Sequence, residues 1–411
     1  MPDARFLSTA TASSVASARN AAPFSPPRQP RILFLNHSAA LGGGELSLLD
    51  IVADWKATST LLLFDDGPFA DRLRERNLPF ACLAPDARLH AVTREASPID
   101  LLRGVPAVLR TVARVAERAR DADLLYANSQ KAMVLAALVG AWTQTPVVWH
   151  LRDMITPDHF SAANRRFITA MANAFVDRVI CNSEATRKAF IDAGGRPGLC
   201  RVVMNGIDPA PFDAISDAEA RACRRTLGCA DVPLVGLFSR FSTWKGQHVL
   251  VDALADLPGV HALLVGDAIF DVDATYKADL LCQIEALGLQ DRVHCLGFRD
   301  DVPTLMKAVD VVVHTSTAPE PFGRVVVEAM MARRPVVAAD AGGPSEILTD
   351  GATGRLVPPG DAAALRNVLA DLVAHPERRT RLADAGYHHA NAAYSVDTLL
   401  RRVRAEIDAM V

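Results

Sequence analysis

No apolar run in this 411-residue chain reaches the roughly 18 residues needed to cross a bilayer. No two of its seven cysteines are spaced as C-x-x-C, and the count is odd. That argues against a disulfide framework or a zinc site and suits a reducing, cytosolic compartment. The net charge is only −3, so no global basic character points to nucleic acid. A secretory signal would need a compact apolar stretch near the start, and none is read there. Residues 1–30 are rich in Ser, Ala, Pro and Arg and have neither a helical nor a strand period. They bury too little to offset chain entropy, so a disordered tail is expected. An organellar transit peptide is the minor alternative for this nearly acid-free segment. No short-period repeat is present.

What is there is alternation. Half of the residues are hydrophobic and 22% are charged, as in ordinary globular proteins, and the length suits two domains. Strand-like runs at Arg31–Asn36, Thr58–Phe64, Asp123–Ala127, Pro146–His150 and Arg178–Asn182 are separated by amphipathic stretches such as Glu45–Trp55, Leu101–Arg120, Lys131–Trp142 and Ala162–Phe175. Such alternation predicts βαβ units around a parallel sheet. Runs like LLLF and PVVW are continuously apolar, as when helices cover both faces. Residues 209–232 break the pattern and predict a linker with a short helix. A second strand series follows: Leu234–Phe238, Val260–Val265, Val293–Leu296, Val311–His314 and Pro335–Ala339. The expected architecture is α/β, with two doubly wound, Rossmann-like domains facing each other across a cleft: a tail at 1–30, a first domain at 31–208, a linker at 209–232, a second domain at 233–392 and a terminal helix at 393–411. That helix, Val396–Met410, would dock across the surface, crossing back to the first domain. Two cysteines in apolar runs, Cys181 and Cys295, are expected in the core.

Ligands of open α/β sheets sit at the carboxyl ends of strands, and the distinctive residues fall there. The strongest set is APEPFGRVVVEAMMARRPVVAADAGGPSE, residues 318–346. A helix is expected to begin near Pro321. The N–H groups of Phe322, Gly323, Arg324 and Val325 would then form an anion site suited to a diphosphate. Glu320, before that helix, and Glu328, two turns into it, could each grip vicinal hydroxyls of a sugar or ribose. Taken alone, either is as readily a helix cap or a surface acid. In GLFSRFSTWKG, residues 236–246, Arg240 and Lys245 leave one strand end and suit a departing pyrophosphate; their alternative is a pair of solvated loop charges.

The segment LGGGELSLLD, residues 41–50, is one residue from a dinucleotide fingerprint. Glu45 would sit where a pyrophosphate rests and repel it, so Gly43 and Gly44 are read as lining the cleft. In VVWHLRD, residues 147–153, His150 ends a strand and is expected to face the cleft; a buried structural histidine is the alternative. Ser183 in CNSEA is read as a helix N-cap and residues 204–208 as a turn. In Leu101–Arg120, Leu101, Val105, Val108, Val112 and Val115 share a face, with Arg103, Arg110, Arg114 and Arg118 elsewhere. A packed surface helix is the first reading and peripheral contact with an anionic membrane the second.

Together these residues resemble the retaining glycosyltransferases of family 4, of the GT-B fold, over about residues 31–400. The GGGE loop, the NGID turn, the Arg240/Lys245 pair, the EPFGRVVVEAM block and the RPVVA…GGPSE segment stand in the family's order. The resemblance implies a nucleotide-diphosphate sugar as donor substrate, no bound cofactor, no metal, and a glycan or lipid-linked acceptor in polysaccharide biosynthesis. It implies catalytic roles for Glu320, His150, Arg240 and Lys245. It places the donor against Arg240, Lys245, Gly297, Phe298, Arg299, Glu320, Phe322, Gly323, Arg324, Val325 and Glu328, with Gly297 to Arg299 beside the base. Two positions depart from the family: Arg333 or Arg334 stands where glycine is frequent, and His150 is followed by Leu-Arg-Asp rather than directly by Asp. The alternatives are another GT-B-type sugar enzyme (a phosphorylase or an epimerase) and a non-catalytic sugar-nucleotide-binding module.

Overall fold

The computed structural model describes residues 29–83, 98–269 and 271–411, apart from the side chains of 98–105 and 271–272. Most of the expected tail therefore lies outside the described residues. Within them the chain builds two parallel sheets. The first holds β1 (Ile32–Asn36), β2 (Thr60–Leu63), β3 (Phe80–Cys82), β4 (Leu124–Ala127), β5 (Val147–Leu151), β6 (Arg178–Cys181) and β7 (Cys200–Val202), in spatial order β3-β2-β1-β4-β5-β6-β7. The second holds β8 (Leu234–Phe238), β9 (His261–Val265), β10 (Val293–Gly297), β11 (Val311–His314), β12 (Val336–Ala339) and β13 (Arg355–Val357), in order β10-β9-β8-β11-β12-β13.

The central strands are buried along their whole length, because each sheet carries a hydrophobic cluster on both faces. Period-2 alternation is therefore absent from their sequences, and Val, Leu and Ile dominate. Strand order reverses between β1 and β4 and again between β8 and β11. Those two switch points open crevices at the carboxyl ends. The GGGE loop follows β1, the Arg240/Lys245 loop follows β8 and Glu320 follows β11.

Residues 209–232 are more ordered than the expected linker with one short helix. They fold as two helices, Ala210–Asp213 and Asp217–Thr226. The second starts on a capping box: the Ser216 hydroxyl accepts from the Glu219 N–H, and the Glu219 carboxylate accepts from the Ser216 N–H. The terminal helix Val396–Asp408 buries Leu399, Val403 and Ile407 in the cluster that holds Ile32, Phe34 and Val148 of the first sheet. Its entry is pinned where the chain leaves that sheet, since the Ile207 N–H donates to the Tyr394 carbonyl at 2.8 Å. A Cβ on Gly206 would stand 2.6 Å from the Ser395 carbonyl oxygen, so glycine is what lets the two segments meet.

The halves also touch through Glu346. Its carboxylate accepts from the N–H groups of Glu184 and Ala185 at 2.8 and 2.7 Å, at the start of the helix Glu184–Asp192. Ser183 caps that helix as expected, accepting from the Thr186 N–H at 3.0 Å. In the helix Pro98–Ala119, Val112 and Val115 face the core and pack beside the helix Gln130–Thr143, as in a packed surface helix. The side chains of Leu101, Arg103 and Val105 lie outside the described residues. Among the described residues no helix is long and apolar enough to cross a membrane. Cys181 is buried as expected, whereas Cys295 is exposed: it sits on β10, the edge of its sheet.

Candidate functional site

After β8 the chain turns through Arg240 and a single 3-10 turn, Thr243–Lys245. Gly246 ends that turn at φ +70, and a Cβ there would lie 2.0 Å from the Thr315 carbonyl oxygen. The loop after β8 is thereby pressed against the loop after β11. Lys245 Nζ lies 2.6 Å from Glu320 Oε2, and each side chain is 14% exposed. The Ser316 hydroxyl donates to the same oxygen at 3.2 Å, and His314 Nε2 stands at 3.4 Å. Burial by itself would raise the Glu320 pKa. The Lys245 charge and the hydrogen bond from His314 outweigh it and hold the carboxyl well below the usual carboxylate range.

Arg240 Nη1 lies 3.0 Å from Asp273 Oδ2, and Arg324 Nε donates to Glu328 Oε1 at 2.6 Å. Each of the three cations of this region is thus backed by a carboxylate. Two of them lie near the Trp244 ring, with Lys245 Nζ 4.0 Å and the Arg240 guanidinium 5.7 Å from its centre. On the same ring lies His159 from the first half, with ring centres 6.0 Å apart. None of Trp244, His159, His314, Ser316 or Asp273 was singled out in the sequence. His314 ends a strand and Ser316 follows in the loop after it, so both could have been found by the strand-end rule alone.

The helix expected from Pro321 begins at Arg324 instead. Gly323 adopts φ +90, which a right-handed helix cannot contain, and Glu320 bridges to Gly342 while residues 321 and 322 bend. The Gly343 N–H donates to the Glu320 carbonyl at 2.8 Å. Phe322 and Gly323 therefore precede the helix, while Arg324 and Val325 lie in its first turn. A Cβ on Gly343 would stand 2.1 Å from the Phe322 carbonyl oxygen. Gly343→Ala is expected to displace this segment and cost about 3 kcal/mol or more; a denaturant midpoint measured beside that of Ser345→Ala checks it.

His150 departs from expectation. It is the penultimate residue of β5, wholly buried, and does not open on the cleft. Its Nδ1 lies 2.5 Å from the Tyr126 hydroxyl and 3.2 Å from Arg152 Nη2. An arginine can only donate, so Nδ1 accepts and the ring proton sits on Nε2. Burial first, then the Arg152 charge, push its pKa far down, so the ring is neutral. The group that reaches outward is Arg152, which also donates to Asn128 at 2.6 Å and to Asn205 at 2.7 Å. Asn205, read from sequence only as part of a turn, takes a second bond from Ser47 at 3.1 Å.

Gly43 and Gly44 begin the first helix, Gly43–Asp54. A Cβ on Gly43 would contact Arg324 Cδ at 3.5 Å, and one on Gly44 would crowd Arg152 Cδ at 3.0 Å. The loop therefore lets arginines from both halves approach. Glu45 is mostly buried, which raises its pKa, and accepts from Asn36 at 3.3 Å. Gly297, at φ +67, accepts from the Gly266 N–H at 2.8 Å. Phe298 beside it is 69% exposed, and Arg299 pairs with Asp301 at 2.6 Å. Arg333, one of the two positions departing from the family's glycine, stands at φ +53, where glycine is unstrained. The structure thus joins Arg240, Lys245 and Glu320 in one cluster. It brings Arg324, which is bonded to Glu328, to the GGGE loop and leaves His150 buried in the sheet, bonded to Arg152.

Two Rossmann-like sheets, each with a switch-point crevice, and fixed cations leaving the strand ends define a GT-B architecture. The chain matches the family described as Glycosyl transferases group 1 over residues 228–389 and the Glycosyl transferase 4-like domain over residues 42–206. It is 40% identical to HepE from Anabaena, in a crystal structure with UDP-glucose; the match covers 93% of this chain and 100% of that one, with a TM-score of 0.84. LpsE of Rhizobium meliloti, a lipopolysaccharide core biosynthesis glycosyltransferase, is 31% identical over 224 residues, 54% of this chain and 62% of that protein. A D-inositol 3-phosphate glycosyltransferase from Mycobacterium tuberculosis is 32% identical over 241 residues, 56% of this chain and 49% of that protein. The chain thus spans less than two thirds of the length of these last two relatives. It belongs to the group 1, family 4 glycosyltransferases of the GT-B fold.

Proposed function

We propose that this chain is a retaining glycosyltransferase that needs no metal for transfer and moves a sugar from a nucleoside diphosphate to a hydroxyl of a glycan or lipid-linked acceptor. The observation that carries this is the Lys245–Glu320 pair, with Arg240 also near the Trp244 ring. A cation pair held by carboxylates at a strand end is already oriented before substrate arrives, so little reorganisation accompanies charge build-up on the leaving diphosphate. HepE, bound to UDP-glucose and to UDP with glucose, supports uridine as the base.

In this reading residues 31–208 carry the acceptor side and residues 233–392 the donor. Arg240, Lys245 and the backbone of Gly323 to Val325 hold the diphosphate, Glu320 the sugar hydroxyls and Glu328 the ribose. Phe322 packs behind, and Gly297 to Arg299 flank the base. Gly43 and Gly44 give the sugar room. Arg152, held by Asn128 and Asn205, serves the reacting side where His150 was expected. The bond from the anomeric carbon to the phosphate oxygen breaks as the acceptor oxygen attacks from the same face, and the acceptor proton passes to the departing phosphate.

The test is a thermal-shift series with UDP, GDP, ADP and their sugar conjugates. Ligand at 100 times its Kd adds about 2.7 kcal/mol. UDP and a UDP-sugar are expected to raise Tm, with the rise reduced in Glu328→Ala and Lys245→Ala. Product from the matched acceptor should keep the donor's anomeric configuration by NMR, in excess EDTA. Absence of a shift with every nucleotide overturns the reading; inversion overturns its retaining part.

A further inference from the structure

The amino ends of β8 to β10 carry a cluster that the donor site does not use. Cys229, His261 and His294 lie about thirty residues apart in sequence, too widely for any metal-binding spacing to be read. Folding brings one ligand atom of each to within 4.8 Å of the others. Cys229 lies in the segment leading to β8 and is buried, His261 opens β9, and His294 is the second residue of β10. Among the described residues this is the one group of three His, Cys, Asp or Glu side chains so placed.

Two of the three spacings match a coordination shell, and the third, Cys229 Sγ to His261 Nδ1, is within 4.8 Å. Cys229 Sγ is 3.5 Å from His294 Nε2, and His261 Nδ1 is 3.3 Å from the same atom. Zinc binds thiolate sulfur at about 2.3 Å and imidazole nitrogen at about 2.0–2.1 Å in a tetrahedron. The edges of such a tetrahedron are roughly 3.5–3.6 Å for S···N and 3.3–3.4 Å for N···N, from the same bond lengths. The Cys229 thiol also has the Leu227 carbonyl oxygen within reach, at 3.4 Å. His294 Nε2 has either one lone pair or one proton, and two neighbours compete for it. A cation at the centre would satisfy all three at once. Of the nearby guanidinium groups, Arg224 bonds Asp310 at 2.8 Å and the Cys229 carbonyl oxygen at 2.9 Å, and Arg292 bonds the carbonyls of residues 254, 257 and 260.

We infer that Cys229, His261 and His294 bind a thiophilic transition-metal cation of the zinc class. The two histidines are partly exposed, so water can complete the shell. On binding, the Cys229 S–H bond is replaced by a sulfur–metal bond and the proton leaves to solvent. The ion staples the segment before β8 to the edge strands β9 and β10. It sits about one strand length, ~16 Å, from the carboxyl ends where the donor residues lie. Its role is structural, and transfer without a catalytic metal is unaffected by it.

The experiment uses tag-free, chelator-stripped full-length protein titrated with Co2+ and Zn2+. One equivalent of Co2+ should give a thiolate-to-cobalt charge-transfer band in the ultraviolet, displaced by Zn2+. Zinc at 100 times its Kd should raise Tm by roughly 5–10 °C. Cys229→Ser and His294→Ala should each weaken zinc binding by at least ~100-fold, beyond the ~10–100-fold typical of a lost outer-shell partner. His261→Gln guards against a folding defect in either, and all three should still respond to UDP. Cys223→Ser should bind as the parent does. Substoichiometric binding, a cobalt spectrum without the thiolate band, or zinc affinity unchanged in Cys229→Ser and His294→Ala overturns the site. A shift with UDP is independent of each of these outcomes.

Discussion

Lys245→Ala is expected to lower kcat by about 10²–10³-fold, the loss typical when one fixed donor is removed from developing negative charge. The same substitution strips Glu320 of its closest partner, at 2.6 Å. A wholly buried pair broken on one side costs about 3–5 kcal/mol; with 14% of each side chain exposed, roughly 2–3 kcal/mol is expected here. The two effects separate in the double variant Lys245→Ala/Glu320→Gln, which should recover much of the Tm and none of the turnover.

The pH dependence has a definite sign. In the parent the folded-state pKa of Glu320 is depressed below its unfolded value. Its stabilising contribution is therefore complete above the ordinary carboxylate range, and it is lost as pH falls through the folded value. Without Lys245, burial acts upward with less to oppose it, so loss of stability should begin at higher pH. Melting curves of parent and Lys245→Ala through the acid range test this. If the variant keeps more than a tenth of the turnover and melts in parallel with the parent at every pH, the pair has neither role.

The sheets were legible because their central strands are short, continuously apolar and bounded by strong turns; β8 and β11 were read to the residue. The strands missed were β3, β7 and β13, each three residues long. They lie at sheet edges, where one neighbour and less burial leave little apolar signal. The late start of the helix at Arg324 was hidden for another reason. Gly343, far downstream, bonds the Glu320 carbonyl and packs against the Phe322 backbone, and a contact at that separation leaves no local trace. The charged residues proposed to hold the donor stood out because strand ends are where such chemistry belongs. Their supports were not: Asp273 comes from a helix and Trp244 from inside the loop, and neither has a spacing that announces it.

Arg152 carries the second large effect. It was read only as a companion of His150, yet it is the donor for Asn128, Asn205 and His150 together. Burial lowers its pKa to about 10, so it stays charged at neutral pH. Arg152→Met keeps the stem and removes the fork. Three acceptors then lose a donor at about 1 kcal/mol or more each, giving roughly 3 kcal/mol. In a domain of this size that lowers Tm by about 6–12 °C. Arg152→Lys should rescue little, because a single ammonium cannot meet two amide oxygens and a ring nitrogen in the directions a guanidinium fixes. Turnover should fall in both variants while UDP still raises Tm, since the cations proposed to hold the donor belong to the other half of the chain. A Lys variant with parental Tm and turnover would mean that charge alone is needed at this position. Parental stability in the Met variant would mean that the network is held by its asparagines. Either result would return the first sheet's part in the reaction to His150, and with it the question of how a wholly buried, neutral ring meets a substrate.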